Sequence, residues 1–423
     1  MQFILKIGMK DLIVAHRSEK KRLLNQTYIK RENLANARRT LGNSLIKVII
    51  GPRRAGKSVF ALQMLRDTEF AYLNFDDERL LKVSNYDQLL KGINEIYGRT
   101  KFLLFDEIQN LEKWELFVNR LQRKGYEVVL TGSNSRLLSR ELATHLTGRY
   151  MEFDVYPFSF REYLTAKGIS FSDVDSDPEI EGSILNALNE YLTTGGYPEV
   201  VVKPLDPRDY LTVLFESILF KDIVKRYRVR YPKLLSDLAY YLISNFACRY
   251  TNTRLRKILD FRSVHTTQNY ISYLSEAFLI FSISRFSFKL KEQLKSPQKV
   301  YSYDTGMVNA LRYGLSPDHG RLMENLVAVE LLRRKKDVYY YRNRNGVEVD
   351  FVTRRGTKLI ELIQVAYNIT DSRTQQREVR SLLRAQRHLK AENLIVLTWD
   401  YNREEKISGL VVQFIPLWRW LLS

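Results

Sequence analysis

An α/β protein built on a mostly parallel sheet is predicted by three features of this sequence. Short apolar runs alternate with amphipathic stretches from residue 45 to residue 155, a glycine-rich segment follows the first run, and the pattern changes at Pro157. The runs "LIKVII", "FAYLNF", "KFLLF", "EVVLT" and "YMEFDV" are each strand-length and rich in branched or aromatic residues. Helical patterns lie between them, such as "KWELFVNRLQRK", where Trp114, Phe117, Val118 and Leu121 fall on one face. Such alternation places helices on both faces of a parallel sheet.

After Pro157 the chain reads as helices broken by "TTGGYPEV", where paired glycines and Pro198 enforce a turn. From about Lys233 to Asp304 the order is three helices and then a strand pair. "TNTRLRKIL" is a short helix capped by Thr251 or Thr253, and "HTTQNYISYLSEAF" is a second with Ile271, Leu274 and Phe278 at core spacing. "LIFSISRFSF" and "KVYSYD" flank a basic loop, which completes the outline of a winged helix-turn-helix. The remainder alternates again, from the helix "MENLVAVELLRRK" to "LVVQFIPLWRWLLS", a strand followed by a packed helix. The expected divisions are therefore 1–156, a sheet core with a helical leader; 157–232, a helical lid or linker; 233–304, a winged helix-turn-helix; and 305–423, a small α/β domain.

Composition narrows the class. Hydrophobic residues at 45% and charged residues at 27% are near globular averages, which argues against disorder. Cys248 is the only cysteine, so an intrachain disulfide and a thiolate metal cage are both excluded. No apolar run reaches the length of a membrane span, and Lys6, Lys10 and Asp11 interrupt the N-terminal run; a cytoplasmic location without membrane partners is expected. The net charge of +19 favours a polyanionic partner such as nucleic acid, with a solubility surface as the plainer alternative. The surplus is uneven: eleven Lys and Arg face three Asp between Lys221 and Arg262.

The segment "GPRRAGKSV" supplies the first chemistry. Gly51, Gly56, Lys57 and Ser58 match the phosphate-loop spacing, with a buried strand before and an amphipathic helix after. Successive amides from Gly51, Pro52, Arg53, Arg54, Ala55, Gly56 and on to Val59 form the cradle, apart from Pro52, which has no N–H. Lys57 adds a charge for the β/γ oxygens, and Ser58 adds a hydroxyl for Mg²⁺. The cofactors expected are ATP and Mg²⁺.

"KFLLFDEIQN" supplies the second. An acid directly after a buried strand can hold Mg²⁺, which assigns Asp106 to the metal, and the next, Glu107, can deprotonate the attacking water. Two solvated acids capping the next helix are the alternative. "EVVLTGSNS" ends in Ser133 and Asn134, which can sense the γ-phosphate or line the water, as an ordinary turn also would. Arg149, just before the next run, can reach the γ-phosphate of a neighbour in a homo-oligomer. Arg136 and Arg140 compete for that role, and a solvated arginine is the alternative.

These motifs, taken in order with "YIKRE", "LTGSNSRLLSRELATHLTGRY", "YPFSFREYL", "GGYPEVV", "LFKDIVKRY", "YSYDTGMVNA", "ENLVAVELLRR" and "NGVEVDFV", resemble a known family over almost the whole chain. It is the archaeal and bacterial AAA+-type P-loop ATPases with a C-terminal domain of unknown function related to PD-(D/E)xK nucleases. The resemblance implies an ASCE/AAA+-like P-loop NTPase core whose water is activated by Glu107, then a helical region, a winged-helix element and a nuclease-like tail. It defines an ATPase more closely than it defines a substrate.

A PD-(D/E)xK site needs an Asp at one strand end and, on the next strand, an acid and a lysine two residues apart. Asp350 fits the first position, with Glu348 on its face and Glu324 on the preceding helix. The second fails: Gln364 stands where the acid belongs, Ala366 where the lysine belongs, and Glu361 faces the other side. Cleavage is therefore not expected, and a retained fold for binding or packing is. For duplex DNA, His265, Thr266, Gln268 and Asn269 offer polar contacts, Arg254, Arg256, Lys257 and Arg262 reach the backbone, and Lys289, Lys291, Lys295 and Lys299 form the wing. A protein-binding or nucleotide-lid module is the alternative.

The function expected is a Mg²⁺-dependent ATPase, DNA-associated, that couples hydrolysis to a conformational or assembly change. A nucleotide-gated switch with little turnover and an ATP-dependent DNA nuclease are the alternatives.

Overall fold

The computed structural model describes residues 8–80, 83, 85–133, 148–172, 174, 177–312, 318–369 and 372–423, with 372–375 by backbone alone. They form two compact units, one made of the described residues up to Tyr156 with Glu276–Phe278, the other of Pro157–Ser275 with Leu279–Ser423.

In the first unit the predicted runs become β1 (Ile46–Ile50), β2 (Phe70–Asn74), β3 (Phe102–Asp106), β4 (Glu127–Gly132) and β5 (Tyr150–Asp154). They pair in the order β2-β3-β4-β1-β5, every neighbour parallel. The central strand, β4, is buried at all of its positions, as a strand covered on both faces must be. Helix Lys57–Leu65 packs Phe60, Ala61, Met64 and Leu65 against Ile49, Leu104 and Val129, and the leader adds Leu34 and Ala37 to this core. Helix Trp114–Arg123 buries Trp114, Phe117, Val118 and Leu121, the face its periodicity predicts. Because β4 lies between β3 and β1, the C-terminal ends of three strands converge on one crevice, where open parallel sheets bind ligands.

The second unit begins with helix Phe160–Lys167, closed at its start by a capping box between Ser159 and Glu162. Helix Pro207–Ser217 then runs into a π-helical stretch, Ile218–Lys225. The "GGYP" and "YDTG" motifs prove to be two halves of one contact. Asp304 accepts from Gly196 N at 2.7 Å and from Met307 N at 2.9 Å, which caps helix Thr305–Leu311. A side chain on Gly306 would place its Cβ 2.1 Å from the Thr194 carbonyl oxygen, so only glycine fits there.

Next come helix Pro232–Ser244, β6 (Cys248–Tyr250), helices Asn252–Ile258 and Val264–Glu276, β7 (Ile280–Arg285) and β8 (Gln298–Ser302). Thr251 caps the second helix by accepting from Arg254 N. β8 pairs antiparallel with both β6 and β7. Two details differ from the sequence expectation. Phe278 lies beyond the helix end, where its φ of 56° stops the helical path. The basic loop between β7 and β8 contains a short helix, Leu290–Lys295, with no buried residue.

The last strands are β9 (Asp337–Arg342), β10 (Glu348–Arg355), β11 (Lys358–Ala366), β12 (Asn393–Thr398), β13 (Arg403–Ile407) and β14 (Leu410–Pro416). A parallel pairing of β7 with β9 joins both sets, giving a mixed nine-stranded sheet in the order β13-β14-β12-β11-β10-β9-β7-β8-β6 among the described residues. The chain closes with helix Leu417–Leu422, which buries Leu417, Trp418, Trp420 and Leu421. No helix among the described residues is long and apolar enough to cross a membrane.

Candidate active site at the phosphate loop

The loop between β1 and helix Lys57–Leu65 is shaped by its two glycines. A Cβ at Gly51 would lie 2.0 Å from the Val155 carbonyl oxygen, and Gly56 caps the helix with a φ of 95°, in the left-handed region. Ala55 N donates to Pro52 O at 3.2 Å, which folds the loop back on itself. Pro52 and Ala55 are buried, Arg53 and Val59 are half-buried, and Arg54 is exposed. Arg53 Nη2 lies 3.8 Å from Asp76. The first amides of the helix have no carbonyl of their own helix to bind, which leaves them for an anion.

Lys57 is 4% exposed; its ammonium donates to Pro52 O at 3.0 Å and stands 3.5 Å from Glu107 Oε1. The Ser58 hydroxyl donates to Asp106 Oδ1 at 2.9 Å. The loop after β1, Asp106 at the end of β3 and Glu107 just beyond it are thus brought together.

The two carboxyls differ in character. Burial, with the adjacent charge of Glu107, pushes Asp106 up to about 6 against the opposing hydroxyl bonds and Lys57. Burial also acts to raise Glu107, but Lys57, the Gln109 amide, Arg53 and Ser133 outweigh it and hold this carboxyl below its usual range. Gln109 Nε2 donates to Glu107 Oε2 at 2.5 Å and lies 3.4 Å from Ser133 Oγ.

Three contributors escape the sequence reading. Thr131, at the end of β4, donates its hydroxyl to Asp106 Oδ1 and accepts from Glu107 N at 3.0 Å. Arg31, from the leader, is buried and donates to Ala55 O at 2.8 Å and to Tyr156 O at 2.5 Å, tying the phosphate loop to the chain after β5. Gln109 is the third. "TGSN" and "YIKRE" were signals only of position; which side chain turns inward depends on the strand order. Asn134, Arg136 and Arg140 lie outside the described residues. Arg149 is exposed just before the edge strand β5, with its carbonyl accepting from Ile46 N at 3.0 Å.

In the second unit, Glu324, Glu348 and Asp350 do converge, but on a lysine. The Lys299 ammonium lies 2.7 Å from Glu324, 3.2 Å from Asp350 and 3.8 Å from Glu348. Lys299 therefore does not extend from a wing: it is 4% exposed, because β8 turns this residue inward to meet the carboxylates. Burial pushes Glu324 up to about 7, with Lys299 opposing and Asp350 adding to the rise, and Tyr301 OH donates to it at 2.7 Å. Gln364 accepts from Asp350 N at 3.3 Å and donates to Glu378 at 2.8 Å, so both ends of its amide are engaged. Ala366 is buried, and Glu361 pairs instead with Lys336 at 3.4 Å.

Of the residues expected to face DNA, Arg254, Lys257, Arg262, His265 and Gln268 are exposed, and Arg256, Thr266 and Asn269 are half-buried. The Thr266 hydroxyl bonds Ser263 at 2.9 Å, at the start of its helix.

Residues 43–164 match an AAA domain, 185–319 a domain of unknown function (DUF8612) and 319–420 another (DUF4143). The chain is 33% identical over 445 residues to the uncharacterized protein MJ1544 of Methanocaldococcus jannaschii, covering 99% of each chain. It is 30% identical over 414 residues to an uncharacterized protein of Haemophilus influenzae, covering 93% of this chain and 99% of that one. Among solved structures it is similar to the Walker-type ATPase PABY2304 of Pyrococcus abyssi, at 16% identity over 68% of this chain and 99% of that one, with a TM-score of 0.47. With its phosphate loop, its acid pair and its full-length relatives, the chain belongs to the family of these archaeal and bacterial proteins, an AAA-type P-loop ATPase domain followed by two domains of unknown function.

Proposed function

We propose that the protein is a Mg²⁺-dependent ATPase that couples hydrolysis to a conformational or assembly change on DNA. The observation that carries the reading is the convergence of Lys57, Ser58, Asp106 and Glu107 at the C-terminal ends of β1 and β3. Lys57 and the loop amides hold the β- and γ-phosphates. Ser58 and Asp106 would hold Mg²⁺, which when bound would neutralise charge on the phosphate oxygens. Glu107, kept ionised by its neighbours, takes the proton of the attacking water. Asn134 is assigned to the γ-phosphate or that water. Arg149, exposed beside an edge strand, is assigned to the neighbouring subunit's phosphate in a homo-oligomer.

DNA enters through the basic second unit. The succession helix, strand, two helices and two further strands, with β8 between β6 and β7, supports a winged helix-turn-helix over 233–304. Exposed Arg254 and Lys257 of helix Asn252–Ile258 and Arg262 of the turn after it support a duplex as partner.

One observation favours a second reading. Glu107 is engaged on one oxygen by Lys57 and on the other by Gln109, an arrangement suited to a nucleotide-gated switch that turns over slowly. The Lys299 cluster, with Gln364 occupied, weighs against the nuclease reading.

The test is ATP turnover at several protein concentrations, with and without duplex DNA, for the wild type and Glu107→Gln. The ATPase reading expects turnover that DNA stimulates and that the variant loses by roughly 10²- to 10⁴-fold. Tight ATP binding with negligible turnover selects the switch.

A further inference from the structure

In the second unit, the segment after the π-helical stretch, the turn between helices Asn252–Ile258 and Val264–Glu276 and one face of the latter enclose a pocket of about 550 Å³. Its wall is aromatic. Tyr227 and Tyr273 stack with ring centroids 4.0 Å apart and planes 8° apart, and Phe261 meets Tyr270 edge to face. Its mouth is cationic: Arg230 and Arg262 both sit over the Tyr231 ring, at 5.6 Å and 5.8 Å from its centre, and Arg228 joins them. All three arginines are exposed, and among the described residues none is paired with a carboxylate, although Asp260 lines the same pocket.

That combination suits one ligand chemistry. Unpaired arginines attract a phosphate, which planar guanidinium groups grip in bidentate fashion. Tyrosine rings and guanidinium planes stack on a nucleobase, a contact tolerant of sequence. A cavity of this size falls in the range of small-ligand sites, and a base pair within a duplex cannot enter it. Thr266 places the pocket at the start of the helix assigned to the DNA groove, where a strand end or an everted base is within reach.

We propose that this pocket binds a single unpaired nucleotide, its base against the tyrosine wall and its phosphate between Arg228, Arg230 and Arg262. The proposal rests on the DNA reading above and adds to it a preference for unpaired over paired nucleotides.

Fluorescence anisotropy on the full chain, in a Lys57→Ala background to silence the phosphate loop, tests it with a blunt duplex, the same duplex carrying a three-nucleotide overhang, and free dTMP. The overhang duplex is expected to bind roughly 10-fold more tightly than the blunt one. Arg228→Ala with Arg230→Ala, both at exposed positions, and separately Tyr231→Leu, are expected to abolish the difference while leaving blunt-duplex binding in place. Competition by dTMP at the overhang's own affinity, lost in the same variants, supports the pocket and assigns it to a free nucleotide. Equal binding of blunt and overhang duplexes overturns the inference and leaves the DNA reading standing. An overhang preference that survives the variants overturns it as well. Absence of binding to every probe removes the DNA reading and the inference with it.

Discussion

Ser58 and Asp106, 48 positions apart in the chain, are joined by a hydrogen bond of 2.9 Å from the serine hydroxyl to Oδ1 of the carboxylate. The bond spans the ends of β1 and β3 and holds both groups at the position assigned to Mg²⁺. Ser58→Ala removes the hydroxyl proposed for Mg²⁺ and the hydrogen bond that holds Asp106. The Mg²⁺ concentration for half-maximal ATP turnover is expected to rise by roughly 10-fold or more, with the fold unchanged by circular dichroism.

Lys299 offsets the charge of three carboxylates in the second unit. Lys299→Met leaves Asp350 and the largely buried Glu324 without their cation, while the half-buried Glu348 keeps Arg249 and Arg342, and the expected loss of stability is about 3–5 kcal/mol, read from denaturant unfolding. Adding Asp350→Asn to Lys299→Met is expected to restore part of that loss. A single variant as stable as the wild type contradicts the assignment of Lys299 as the balancing charge.

Asp304 gives a dependence on pH. Burial pushes its carboxyl up to about 6, against the bonds from the Gly196, Met307 and Gly306 amides, and Tyr191 and Tyr197 are its titratable neighbours. An acid whose folded value lies above its unfolded value favours the fold when protonated. Its contribution is present below about pH 4 and is lost as pH rises to about 6. Of the order of 3 kcal/mol is expected to separate the two limits. Asp304→Asn cannot titrate, so the stability of the wild type relative to this variant is expected to fall by that amount from pH 4 to pH 7. A constant difference contradicts the assignment.

Much of this architecture is legible in the sequence because its signals are local. The five apolar runs, the glycine spacing of the phosphate loop and the acids closing "KFLLFDE" each declare themselves within about ten residues. What the sequence hides is non-local. Thr131 faces Asp106 only because β4 inserts between β1 and β3, and Arg31 reaches Ala55 from the leader. Lys299 reads as a wing lysine until the placement of β8 shows its ammonium among carboxylates. The pairing of β7 with β9, which joins the strands of 233–304 to those beyond, has no local signature.

The central claim is that a nucleotide with its magnesium ion is gripped between the glycine-lysine loop and the two acids. Calorimetric titration of ATP with Mg²⁺ into the full chain and into Lys57→Ala tests it most directly. One binding event per chain is expected, weakened roughly 10- to 100-fold in the variant by loss of a charged hydrogen-bond donor. No heat from the wild type, or identical isotherms for both proteins, contradicts the account.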